Sequence, residues 1–217
     1  NKITEEFKFQ NNIPKKLLSP DEREIETSIK NPVILNEEAE IQTGYIMFGF
    51  LADRAKKLKE TISLDLISVI LGEGKSSRFN HKFIETPEKP HFYQIDTCHY
   101  QFKDGDNFFV EANFDPSFKD EVIKEIQDEL DCLKKIKDDE LEKAKKRLKV
   151  NFAESAETVS EIADTIGHYM TVMEDVALAN EYLKVLNEID TEYLEEIVEK
   201  YLTKDKCSIS VLMPKKA

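Results

Sequence analysis

The stretch KDGDN, Lys103 to Asn107, stands between two aromatic-rich runs, Phe92 to Phe102 and Phe108 to Phe114. An Asp-Gly pair flanked by strand-like segments marks a hairpin, because the tight turn needs positive φ and Gly supplies it at no steric cost. Phe108, Val110, Ala112 and Phe114 alternate with Phe109, Glu111 and Asn113, which sets one buried face against one facing water. The same alternation puts Tyr93, Ile95 and Phe109 on the faces opposite Phe92, Val110 and Phe114. A lone hairpin is marginal in water, so this one must join a wider sheet with a covering layer.

The remainder of the chain supplies both. TGYIMFGFL, Thr43 to Leu51, is short and almost wholly apolar, as a central strand is, and CSISVLMP, Cys207 to Pro214, is a closing strand. Leu58, Ile62, Leu66, Ile67, Ile70 and Leu71 recur at helical spacing and predict a helix from about Ala55 to Leu71. Arg78 to Ile84 follows as a short helix stopped before Pro87. After the hairpin come the stripes Phe118, Val122, Ile126, Leu130, Leu133, then Leu141, Ala144, Leu148, Phe152. A third stripe, Val159, Ile162, Ile166, Met170, is opened by the capping-box pair Thr158 and Glu161. Two shorter helices carry Val176, Ala179, Leu183, Leu186 and Leu194, Ile197, Tyr201. The order strand, helix, hairpin, helices, strand predicts an α+β fold: a two-layer sandwich with a mostly antiparallel sheet and helices packed on one face. Residues 1–22 are polar and hold Pro14 and Pro20, so they read as a linker or incoming strand before a domain over 23–217.

Charge narrows the function. With 31 Lys and Arg against 44 Asp and Glu, the net charge is -13, which argues against nucleic acid, whose phosphates require cationic partners. No apolar run approaches the roughly 20 residues that span a bilayer, so no membrane is expected. Cys98, Cys132 and Cys207 are odd in number and widely spaced, which supports neither a disulfide framework nor a thiolate metal site; free, mostly buried thiols are expected. A reducing, cytoplasmic location is favoured over the periplasm on that ground. The chain starts at Asn1 without an initiator methionine, which reads as a processed chain or an excised piece of a longer one.

The segment ILGEGKSSRF invites a phosphate-loop reading that fails. Gly72 and Gly74 are two apart, whereas the phosphate loop spaces its glycines five apart and follows a strand, not a helix. Gly72 or Gly74 instead supplies the left-handed residue ending a helix, and Ser76 or Ser77 caps the next one.

Taken together, GYIMFGF, VILGEGKSSRF, DGDNFFVEANFDP and DDELEKAKKRLKVNF resemble, in the right order from about Arg23 to the end, one half of the insulinase-like zinc peptidases, the pitrilysin and mitochondrial processing peptidase-like family. The chain is similar to the second, non-catalytic C-terminal half. In that family two α+β halves enclose a chamber, and catalysis uses a helical H-x-x-E-H in the other half. None of His81, His91, His99 and His168 lies four residues from another, so no catalytic or metal-ligating residue is expected here, and zinc belongs to a partner half.

The resemblance also implies that this half closes the chamber on an extended peptide substrate. Family members use a segment S-S-R-[LF]-x-x-x-[LF]-R and then a tyrosine, with the second arginine and the tyrosine reaching the oxyanion. Ser76, Ser77, Arg78, Phe79 and Phe83 match, but Ile84 stands at the second arginine. Lys89 is the nearest cation, and Arg78 is expected to salt-bridge locally. Tyr93 corresponds either to the family tyrosine or to a sheet-packing aromatic. Substrate contact is thus expected at Gly72, Gly74, Lys75, Ser76, Ser77 and Tyr93, with a plain helix-to-helix turn as the other reading of the loop. The expected partner is the zinc-bearing half or subunit, and a homodimer is also compatible. The alternative function is a degenerate structural subunit that serves assembly without a peptidase role.

Overall fold

A computed structural model of the chain describes residues 29, 31–53, 57–85 and 90–215. The linker over 1–22 and Lys89 lie outside the described residues. Five strands form one sheet: β1 (Ile34–Ala39), β2 (Gly44–Ala52), β3 (Phe92–Tyr100), β4 (Asp106–Phe114) and β5 (Cys207–Pro214), in the order β1-β5-β2-β4-β3. Every pairing is antiparallel except β1 with β5, which is parallel. β1 escapes sequence reading because ILNEEA is exposed along its length, so it shows no apolar alternation.

Six α-helices are described: α1 (Leu58–Gly72), α2 (Lys119–Cys132), α3 (Asp138–Glu154), α4 (Val159–Thr171), α5 (Leu178–Glu188) and α6 (Thr191–Tyr201), with a short π-helical turn at Asn80–Glu85. They cover one face of the sheet. Ile46, Phe48 and Phe50 of β2, Phe108, Val110 and Phe114 of β4, and Ile209 and Val211 of β5 point into that layer and are buried. Helix α1 meets them with Ile62, Leu66, Ile67 and Leu71, all fully buried. Burying a side chain of this size stabilises by about 1.5–3 kcal/mol, and α1 also buries Leu58, Leu64 and Ile70 on its other sides. The expected two-layer α+β sandwich is the observed one.

Four local expectations are corrected. Phe92 pairs with Phe114 but Gln94 pairs with Asn113, so a bulge inserts Tyr93. Alternation therefore slips, and Ile95 is buried on the helix side with Phe92 instead of opposite it. In α5 the core side is Leu178, Tyr182, Val185 and Leu186, while Leu183 and the preceding Val176 are exposed. The stripe of α4 also faces outward. Of the thiols, Cys207 is buried, with its pKa pushed up to about 12 by burial, but Cys132 is exposed.

Candidate functional site

The second face of the sheet carries no described helix. Tyr45 and Met47 of β2 and Tyr100 of β3 are exposed there, with Phe109 of β4 half-buried beside them. Tyr100 meets Phe109 edge-on at 6.0 Å and Phe102 at 6.4 Å, so the aromatic groups form a continuous track. Nearer the other end of β3 lies a shallow hollow of about 340 Å³ lined by Tyr45, Met47, Gln94, Asp96, Glu111 and Leu212 among others. Asp96 and Glu111 sit directly across from one another, and Gln94 Nε2 donates to Asp96 at 2.5 Å. Like charges in register across a ladder repel. The hollow therefore combines apolar walls with a negative strip.

The predicted loop lies elsewhere. Gly74 is the left-handed residue, at φ 82°, which settles the choice left open by the sequence. Gly72 is required for a different reason. A Cβ there would stand 2.4 Å from Thr97 Oγ1 and 2.8 Å from its backbone nitrogen, so only glycine lets α1 close on β3. Ser77 is buried, and its hydroxyl donates to the Gly74 carbonyl at 2.7 Å, so it closes the loop on itself where a cap would accept from the next helix. Gly74, Lys75 and Ser76 are exposed. Gly74 and Ser76 border a hollow of about 420 Å³ between the end of α1 and α3, beside the Glu73–Arg147 ion pair. Tyr93 does not line that hollow; it projects from the bulge, 55% exposed.

Arg78 is committed to the fold. It grips Glu140 with two hydrogen bonds, donates to the Lys135 carbonyl at 2.9 Å and stands 3.7 Å from Glu129. These partners are far away in sequence, so the expected local salt bridge is a tertiary one. Ile84 is partly exposed at the end of the π-helical turn.

The histidines go to separate partners. His91 Nε2 meets Glu125 at 2.7 Å, and His168 Nε2 meets Gln101 at 2.9 Å. His99 is wedged between two carboxylates, Nδ1 at 2.7 Å from Asp65 and Nε2 at 3.3 Å from Asp106. Burial alone would lower its pKa, but Asp106 and Asp65 overcome this and push it up to about 9. A cation held between two acids is an ion-pair anchor and cannot also donate a lone pair to a metal. These donors do not converge, and among the described residues no group of three metal-ligating side chains forms, so the described residues do not fit zinc. Sequence reasoning missed this buried triad because Asp65, His99 and Asp106 come from three elements with no shared spacing.

The model for the peptidase M16 inactive domain matches residues 1–148. This chain belongs to that family. The M16 inactive domain is also 30% identical over 162 residues to a zinc protease, PqqE, from Helicobacter pylori, which covers 73% of this chain and 36% of the relative. Its fold matches a solved protease from Helicobacter pylori with a TM-score of 0.81 and 24% identity, over 97% of this chain and 50% of that one. An M16 inactive domain from Pseudomonas fluorescens matches with a TM-score of 0.75 and 18% identity, over 86% of this chain and 44% of that one. This M16 domain thus spans about a third of its curated relative and about half of these two solved chains.

Proposed function

We propose that this chain is the non-catalytic half of an insulinase-like zinc metalloendopeptidase, closing a peptide-binding chamber against a zinc-bearing half. The observation that carries this reading is the bare sheet face, where Tyr45, Met47 and Tyr100 are exposed to water and Tyr100 packs with Phe102 and Phe109. Such surfaces on folded domains mark contact sites. The zinc-bearing half would supply the metal-activated water. This chain contributes the opposing wall, along which an extended peptide lies and adds to the β3 edge through main-chain hydrogen bonds. Gly74, Lys75 and Ser76 are the loop contacts, Gly72 and Ser77 hold that loop in shape, and Tyr93 stands at the bulge.

A second reading, a structural subunit serving assembly, is favoured by one feature. Ile84 stands where the family's second arginine would reach the oxyanion, and an apolar side chain cannot donate to it.

The test pairs this chain with the zinc-bearing half and follows hydrolysis of an unstructured labelled peptide. A photo-crosslinking residue replacing Tyr100, exposed on the edge strand β3, should capture the peptide when both halves are present and the metal has been chelated. Hydrolysis by the zinc-bearing half that proceeds equally well without this chain, with no capture at Tyr100, would favour the assembly reading.

A further inference from the structure

The hollow on the bare sheet face carries two carboxylates and no cation. One row across the sheet runs Ser210, Met47, Glu111, Asp96, each residue directly opposite the next, so all four share that face. Lysine, arginine and histidine are missing from the lining, and neither Asp96 nor Glu111 is ion-paired with a described residue. Elsewhere on the surface such groups are matched, as Glu73 is by Arg147, Asp139 by Lys143 and Glu181 by Lys184. Gln94 donates to Asp96, but no described side chain donates to Glu111. In the neighbouring row Asn113 also lines the hollow, and its Oδ1 is buried without a hydrogen-bond partner. Its partial negative charge is offset by no donor and adds to that of the carboxylates. Tyr45 and Met47 supply apolar walls, which strengthen the field that the carboxylates project.

This arrangement selects what can enter. An apolar side chain would cover the carboxylates without pairing them, which is costly. Calcium takes about six to eight oxygen ligands, more than two carboxylates and one amide provide. A cation on a long stem meets the requirement. A peptide strand added to the β3 edge places one residue opposite Asp96, with Cβ atoms about 5 Å apart, and Glu111 lies one strand spacing farther in. Lysine and arginine are long enough to lean over Asp96 and bond both carboxylates, with the added strength of charge assistance.

We propose that the hollow takes a lysine or arginine side chain of the extended peptide, at the peptide residue in register with Asp96. This rests on the chamber reading and adds to it a preference for a basic residue at one position.

The whole chain, with and without the chelated zinc-bearing half, is titrated with three fluorescent unstructured peptides that differ only in arginine, glutamine or glutamate at one central position. The arginine peptide should bind about tenfold or more tightly than the glutamine one, and the glutamate peptide most weakly, with the gap narrowing as salt rises. Asp96→Asn combined with Glu111→Gln should keep the melting temperature and abolish the preference. Glu157→Gln combined with Asp164→Asn removes the same charge from exposed positions at α4 and should retain it, which separates the hollow from the net charge of -13. Equal binding of the three peptides, a preference that survives loss of Asp96 and Glu111, or a loss shared by both double variants would overturn the proposal and leave the chamber reading in place. If none of the peptides binds, the chamber reading fails, and N-acetyl-arginine amide decides the hollow by itself. Amide shifts confined to the surroundings of Asp96 and Glu111 would keep it as a site for a basic side chain; their absence would overturn that too.

Discussion

Arg78 holds Glu140 with two parallel hydrogen bonds, Nε to Oε1 and Nη2 to Oε2, both 2.8 Å. The same carboxylate accepts the Lys137 backbone N–H at 3.0 Å, so one side chain caps α3 and ties it to the segment after the loop. Charge-assisted paired bonds of this kind are the strong ones.

Replacing Glu140 by Gln should therefore cost about 2 kcal/mol in urea unfolding. The Arg78 hydrogen bond holds the Glu140 carboxyl below its ordinary value, outweighing burial. A depressed carboxylate contributes stability above its unfolded pKa, near 4.5, and loses it as pH falls through the lower folded value. Stability should thus fall less steeply below pH 4.5 in Glu140→Gln than in the parent, which paired unfolding curves would show.

The two loop glycines should respond differently. Gly72→Ala drives a methyl into the backbone nitrogen of Thr97, which cannot move aside, and should destabilise by about 1–3 kcal/mol. Gly74→Ala meets open space but forces a left-handed alanine, at about 1–2 kcal/mol. If Gly74→Ala depresses peptide hydrolysis by the paired halves far beyond its stability cost, the loop contacts substrate; an effect matching its thermal shift makes it a helix stop.

His99 predicts alkaline sensitivity. Its folded pKa, near 9, lies above the ordinary 6.5, so the stabilisation is complete below pH 6.5 and is lost as pH rises through 9. The loss amounts to up to about 3 kcal/mol by linkage. Denaturation at pH 6, 8 and 9.5 should show this decline, and His99→Gln should flatten it.

The isolated chain should hold no stoichiometric zinc after dialysis, because its histidines are drawn to Glu125, Asp65, Asp106 and Gln101 without converging. Elemental analysis showing one tightly held zinc per chain would mean that these side chains rearrange around metal.

Much of the fold is legible in the sequence by itself. The Asp-Gly turn dictates the β3–β4 hairpin, and the alternation in β4 dictates which face is buried, because side chains along a strand point to opposite sides. The helical spacing of apolar residues marks α1 as a helix, and the spacing of the histidines already excludes the family's zinc grip. Tertiary structure decided the rest. β1 has no pattern of its own and becomes a strand only through the parallel ladder to β5. The bulge at Tyr93 depends on the register against β4, and a one-residue slip there moves Ile95 into the core. Arg78 finds Glu140, and His99 finds Asp65 and Asp106, because separate elements fold together; sequence distance carries no information about such meetings. The α4 stripe shows the limit most plainly. Periodicity states that a helix has an apolar face, but whether this chain or another covers it depends on the position of every neighbouring element.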